Sequence, residues 1–199
     1  MPAASGELWT IGHSTRPFAE WLKLLQSHRI QALADVRRFP GSRRHPQFNQ
    51  EAMAVALERE GIVYRHFTEL GGRRPARPDS PNTLWRNLAF RGYADYMTSS
   101  EFTQAIGELR DFSGLQRTCI MCAEALWWEC HRSLIADWFK ADGWKVWHIQ
   151  SNGKAVEHPF TEAAHLVRGR LSYSPEGRDG ELWVVKKNKP RRTGILKRG

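Results

Sequence analysis

Cysteine is scarce in this chain of 199 residues: Cys119, Cys122 and Cys130 are the whole complement. Three thiols do not make a disulfide framework, and reduced thiols in a cytoplasmic protein are the simpler expectation. Long apolar runs are missing too, so neither a bilayer-spanning segment nor a membrane partner is expected. Residues 1–7 lack a basic stretch followed by an apolar one, and no secretory signal is expected. Lysine is thin: residues 1–185 hold 4 Lys against 19 Arg, and Arg is the better fork for phosphate or carboxylate. Acid is absent from the last 14 residues, which carry seven basic ones. Residues 1–185 therefore balance 23 basic against 21 acidic side chains, and only +2 of the net +9 belongs to them. A basic terminus reads either as a solvated tail or as a nucleic-acid contact. No internal repeat and no domain linker breaks the chain. The expectation is one α/β domain over 1–172 and a basic, flexible tail over 173–199.

What is present is an alternation of two periodicities. Short apolar runs over 8–11, 32–36, 62–67, 118–122 and 145–149 read as strands. Between them, Phe18, Trp21, Leu22 and Leu25 recur at helical spacing, with Thr15 as cap and Pro17 in the first turn. Asn49 is placed to cap a second helix, with Phe48 and Met53 as its staple and Gly61 at its end. Ser99 or Ser100 opens a helix carrying Phe102, Ile106, Leu109 and Phe112. Leu134, Ile135, Trp138 and Phe139 mark another over 131–141, ended by Gly143. A last short helix is expected over 158–167, and 70–82 reads as a long polar loop. Strands alternating with helices predict a three-layer α/β domain, a mostly parallel sheet with helices on both faces.

In such a sheet the ends of the strands share one edge, where open α/β folds hold their ligands. His13 and Ser14 follow the first strand. Asp35, Arg37 and Arg38 follow or end the second, with Ser42 in the next break. Cys122 and Glu124 follow the fourth, and His148 lies near the end of the fifth. Cys130, His131 and Arg132 open the helix after Cys122. Each also has a structural reading. Cys122 is either a small buried hydrophobe or a thiolate depressed by a helix N-terminus and Arg132 or His131. Arg132 pairs with Glu124 or Asp35, or binds a substrate anion. Asp35 is a buried partner for an Arg or a polar site residue, and His148 is a satisfied core residue or part of the rim. The layout is similar to that of rhodanese and phosphatase loops. Nine residues separate Cys122 from Arg132, however, and Trp127-Trp128-Glu129 interrupts them, which is too bulky for a tight anion cradle. Cys122, Cys130, His131 and His13 form a soft donor set, but the Cys122–Cys130 spacing is not that of a zinc ribbon, and no metal or other cofactor is assigned.

Taken together, Thr10-Ile11-Gly12-His13-Ser14, Asp35-Val36-Arg37 with Pro40, Ser42 and Phe48, Leu70-Gly71-Gly72, Tyr93-Ala94, Tyr96-Met97, Phe102, Cys122-Ala123-Glu124, Cys130-His131-Arg132 and Val146-His148-Ile149 resemble the bacterial and archaeal family called domain of unknown function 488. The resemblance spans about residues 8–150. It implies an intracellular α/β domain with these motif positions, and supplies no substrate and no catalytic residue.

Three functions follow as expectations. The first is an enzyme with a pocket at the carboxyl edge of the sheet, acting on a phosphate-bearing nucleotide or nucleic acid. In it Arg37, Arg38 and Arg132 bind the anion, His13 or Glu124 is the acid or base, and Cys122 is the nucleophile. Ser14, Asp35, Ser42, Cys130, His131 and His148 complete its substrate-binding rim. The second is a non-catalytic nucleic-acid-binding module using the tail, Arg37-Arg38, Arg43-Arg44, Arg73-Arg74, Arg77 and the aromatics Trp85 and Trp127. The third is a metal- or thiol-dependent redox protein using Cys122, Cys130 and His131. No feature bears on oligomeric state.

Overall fold

The structure, a computed structural model, describes residues 6–177. Five parallel strands are β1 (Glu7–Gly12), β2 (Ala32–Asp35), β3 (Val63–His66), β4 (Thr118–Cys122) and β5 (Lys145–Ile149). The edge strand β6 (Ala155–Glu157) runs antiparallel to β5. Their order is β3-β2-β4-β1-β5-β6. Strand side chains alternate between faces, and the core divides accordingly. Trp9, Ile11, Leu33, Cys119 and Met121 pack with Trp21 and Leu25 of α1 (Phe18–Ser27) and Met53 and Leu57 of α2 (Gln50–Arg59). Leu8, Ala34, Val36 and Ile120 pack on the other face with α3 (Leu88–Tyr96), α4 (Ser100–Leu115) and α5 (Arg132–Ala141). The architecture is the expected three-layer α/β one.

Strands β1 to β5 lie within two residues of the apolar runs. Helix α4 begins where expected, with the Ser99 hydroxyl accepting from the Phe102 N–H. Elsewhere the local readings need correction. Helix α1 starts after Pro17 with no side-chain cap, so Thr15 does not cap it. Asn49 occupies the N-cap position of α2, but its Oδ1 accepts from the Ser42 N–H at 2.6 Å instead. Helix α3 lies where the sequence patterns assign no element. Its Gly92 depresses helix propensity, yet a Cβ there would overlap the Arg74 carbonyl, so the glycine serves a close crossing. The helix expected over 158–167 is absent. A hairpin of β7 (His165–Val167) and β8 (Arg170–Ser172) replaces its end. Arg168 and Gly169 turn it at φ 50° and 76°, the left-handed pair that two-residue hairpin turns require.

Tyr173 is buried against α5. The tail expected over 173–199 lies, from 178 onward, outside the described residues. Among the described residues, no helix is long and apolar enough to cross a membrane.

Candidate functional site

Strands β1 and β4 are neighbours, and Gly12 is paired with Cys122 at their carboxyl ends. The chain leaves β1 toward α1 on one face and leaves β4 toward α5 on the other. That divergence opens a crevice, the topological switch point of an open α/β sheet. The two exits are stitched together just beyond it, His13 N–H to the Cys122 carbonyl at 3.0 Å and Ser14 N–H to the Ala123 carbonyl at 2.9 Å. Gly12 permits this approach: any side chain there would overlap the Glu124 carbonyl.

At the mouth of the crevice Cys122, Cys130 and His131 converge, their Sγ, Sγ and Nδ1 atoms all within 4.8 Å of one another. Nδ1 of His131 is 3.6 Å from Cys130 Sγ and 3.9 Å from Cys122 Sγ. The other ring nitrogen, Nε2, is 3.0 Å from the Val36 carbonyl, which can only accept. The Nε2 proton is therefore committed to Val36, and in the neutral ring Nδ1 turns a lone pair toward both sulfurs. The two thiols are unequal. A hydrogen bond from Cys130, then the charges of His131 and Arg132, hold the Cys122 thiol well below its ordinary range despite burial. Burial and the same bond push Cys130 up. Cys119 lies on the opposite face of the sheet, where burial also pushes it up. Gly72 presses on the cluster, and a Cβ there would stand 2.9 Å from His131 Nδ1. The cluster forms one wall of an open cavity of about 390 Å³, whose other walls include Arg38, Arg73, Tyr93 and Glu124.

The donor set also suits a soft metal. With M–S near 2.3 Å and M–N near 2.0 Å, tetrahedral geometry puts S and N about 3.5 Å apart. Committing the distal imidazole N–H to a carbonyl is the usual support for a ligating histidine.

Other predicted site residues are engaged elsewhere. Asp35 and Arg37 form a buried ion pair. Asp35 also accepts from Tyr64 Oη, and Arg37 donates from Nη2 to the Phe48 carbonyl at 2.8 Å. His13 stacks on Phe48 with centroids 4.3 Å apart. Its Nδ1 donates to the Ser14 carbonyl and its Nε2 accepts from Arg37. Burial, opposed by the Ser14 bond and aided by the Arg37 charge, lowers its pKa to about 4. A ring neutral at pH 7 with both nitrogens occupied is poorly set for acid–base work. Ser42 organises its own loop, its Oγ accepting from the His45 N–H. Arg38 donates to the Arg73 carbonyl at the cavity rim. Glu124 is exposed on the cavity wall. Among the described residues Arg132 binds no carboxylate: its Nη2 donates to the main-chain carbonyls of Glu124 and Ala125, and Asp35 is taken by Arg37.

His148 belongs to a chain that sequence reasoning did not assemble. Asp137 on α5 accepts from His158 Nε2 at 3.0 Å. His158 Nδ1 then accepts from His148 Nε2 at 2.8 Å, and His148 Nδ1 from the Thr10 hydroxyl at 2.7 Å. The carboxylate at one end sets every donor along it. Burial, with His158 and Arg132 beside it, holds His148 well below the ordinary histidine range. Trp127 stacks on the His148 ring at 4.2 Å, and Trp85 packs against Phe90 and Tyr173. Neither indole is the free base-stacking platform expected of it. The pairing of Thr10 with His148 across β1 and β5 had no local signal.

The description Domain of unknown function DUF488 fits residues 17–139, where its family model matches. The chain belongs to this DUF488 family. The match covers Asp35-Val36-Arg37, Leu70-Gly71-Gly72, Cys122-Ala123-Glu124 and Cys130-His131-Arg132, so the whole thiol cluster lies inside it. Gly12-His13-Ser14 and His148 fall outside the DUF488 match. No curated protein and no solved structure matches the chain.

Proposed function

We propose that the protein is a thiol-dependent enzyme acting on a phosphate-bearing substrate in the cavity at the carboxyl edge of the sheet. The observation that carries the reading is the convergence of Cys122 Sγ, Cys130 Sγ and His131 Nδ1 on the wall of an open cavity at the β1–β4 crevice. In this reading His131 Nδ1 takes the Cys122 proton, and the separation of 3.9 Å closes when substrate binds. Cys122 Sγ gives an electron pair to an electrophilic centre of the substrate. The leaving group departs with the pair of the broken bond and receives the proton from His131. Arg38 and Arg73 on the rim supply charge for the substrate's phosphate, while Arg37, tied to Asp35, does not. The substrate is a nucleotide or nucleic acid.

The test is alkylation of the folded protein with iodoacetamide, read by peptide mass spectrometry. Cys122 should react faster than Cys119 and Cys130, and His131→Gln should slow it by about tenfold or more. Protection of Cys122 until denaturant is added would remove it as nucleophile.

A second reading has its own support: the sulfur–nitrogen separations of 3.6 and 3.9 Å approach those of a tetrahedral metal centre. Cys122, Cys130 and His131 would then hold a zinc-class ion with one position open to the cavity. Elemental analysis of the purified protein separates the two: one equivalent of metal, lost in Cys130→Ser, selects the metal centre.

A further inference from the structure

On the far side of the 125–128 segment from the thiol cluster lies a second cavity, of about 240 Å³, at the ends of β1 and β5. Arg132, the first residue of α5, forms part of its wall and is only 1% exposed. A guanidinium carries five N–H donors. Both Nη2 bonds of Arg132 go to main-chain carbonyls, Glu124 at 2.8 Å and Ala125 at 3.0 Å. Among the described residues its Nε and Nη1, both buried, have no hydrogen-bond partner, and no carboxylate lies within ion-pair reach. A buried charge left without a counter-charge is among the more costly arrangements in a fold.

The surroundings deepen the positive character. Arg16 stands close by, donating to the Gly12 carbonyl and to Ser151 Oγ, and Ser151 lines the same cavity. Burial and then the Arg132 charge lower the pKa of Arg16, against a smaller opposing effect of Glu20, as expected of two cations sharing one region. The other polar groups on the wall add no negative charge. His148 is neutral with its Nδ1 occupied by the Thr10 hydroxyl.

We infer that this second cavity is an oxyanion subsite, separate from the thiol cavity, in which the free Nε and Nη1 donors of Arg132 receive the phosphate group of a small ligand. A phosphate monoester carries about −1.5 to −2 near neutral pH, which balances two guanidiniums where a carboxylate balances one. Arg is also the side chain best shaped for phosphate oxygens. The volume suits a phosphate and a small body, and Trp128, 49% exposed, offers that body a flat apolar face. The inference stands apart from the thiol reading, since no atom of Cys122, Cys130 or His131 takes part.

The experiment is a titration of isotope-labelled protein with inorganic phosphate, following the assigned Arg132 Nε–H resonance, with chloride at equal ionic strength as control. A saturable shift with phosphate and none with chloride is expected. Arg132→Lys keeps the charge but removes the donor geometry and the reporter resonance; its phosphate affinity, read with the wild type's by calorimetry, should be weaker by at least about tenfold. Arg16→Gln, which removes the cation bonded to the wall residue Ser151, should weaken it several-fold and serves if Arg132→Lys does not fold. Cys122→Ser should leave the phosphate affinity unchanged, so a failed thiol reading leaves this one intact. A parallel titration with adenosine monophosphate distinguishes the ligand's source: tighter binding than inorganic phosphate identifies an organic phosphate, equal binding a free one. No saturable shift in the wild type, unchanged affinity in Arg132→Lys and Arg16→Gln, or loss of binding in Cys122→Ser would each overturn the inference.

Discussion

His13 donates from Nδ1 to the Ser14 carbonyl and accepts at Nε2 from Arg37, so a second ring proton would have to displace a cation. With a pKa lowered from 6.5 to about 4, mainly by burial, the residue ties stability to pH with a definite sign. Below pH 6.5 the unfolded chain takes up a proton that the folded protein refuses until about pH 4. Stability is therefore fully present above pH 6.5 and is lost as pH falls through that interval, by about 3 kcal/mol. His148 is shifted the same way and adds to the loss. His13→Phe keeps a ring against Phe48 but carries no titrating group. Its unfolding free energy, measured by urea melts from pH 7 to 4, should fall less steeply than the wild type's, whatever its value at pH 7. Parallel curves would show that His13 is not buried as described. At this scale the sequence was partly legible. That Asp35 is a buried partner for an Arg is readable from a carboxylate ending an apolar strand, two residues from an Arg. That His13 stacks on Phe48 is not, because the two meet only after α1 and the 40–49 loop have packed.

Among the elements, α4 shows local coding at its clearest. Ser99 sits in extended conformation and its hydroxyl satisfies the Phe102 N–H, an otherwise unpaired donor of the first turn. Ser99→Ala should cost about 1 kcal/mol, read as a lowered urea midpoint with an unchanged slope. No change would mean that packing of Phe102, Ile106 and Leu109 alone holds the helix start. Helix α3 shows the opposite case. Its stripe of Phe90, Tyr93, Ala94 and Met97 is present in the sequence, but Gly92 depresses helix propensity and no element is expected there. What stabilises α3 is largely non-local: buried Asp95 accepts from Ser80 Oγ, Asn82 Nδ2 and the Arg77 N–H, pinning the preceding loop beneath it. A carboxylate whose partners come 13 to 18 residues earlier leaves no periodic trace.

For the molecule as a whole, one carboxylate gathers the polar groups of the segment after β6 onto α5. Asp137 on α5 is fully buried and accepts from His158 Nε2, from the Thr161 N–H and hydroxyl, and from Tyr173 Oη. Four donors from residues 158–173 thus meet at a single helix position. This is why the helix expected over 158–167 does not form: His158 and Thr161 satisfy their polar groups on α5 instead. Asp137→Asn removes the charge and turns one acceptor into a donor facing donors. It should cost about 2–4 kcal/mol. Limited proteolysis should then cut within residues 150–177 before the rest of the chain, and a digestion pattern like the wild type's would show that the segment is held by its apolar contacts alone.

The sequence by itself determined the alternation of strands and helices, the parallel sheet, and the gathering of Cys122, Glu124, Cys130, His131 and Arg132 around one turn. These depend on periodicities of two and 3.6 residues and on capping, all of which act over a few neighbours. Tertiary structure alone decided what each of those residues faces. His131 and Arg132 are consecutive, yet successive residues of a helical turn point about 100° apart. One therefore joins the thiols at a 390 Å³ cavity, and the other reaches back toward Gly12 and a separate 240 Å³ one. The missing side chain at Gly12 lets the Glu124 carbonyl close over β1, and Arg132 holds it there. Strand order likewise brought Thr10, His148, His158 and Asp137 into one hydrogen-bonded line. Their separation in sequence, up to 138 residues between Thr10 and His148, puts that line beyond any local pattern.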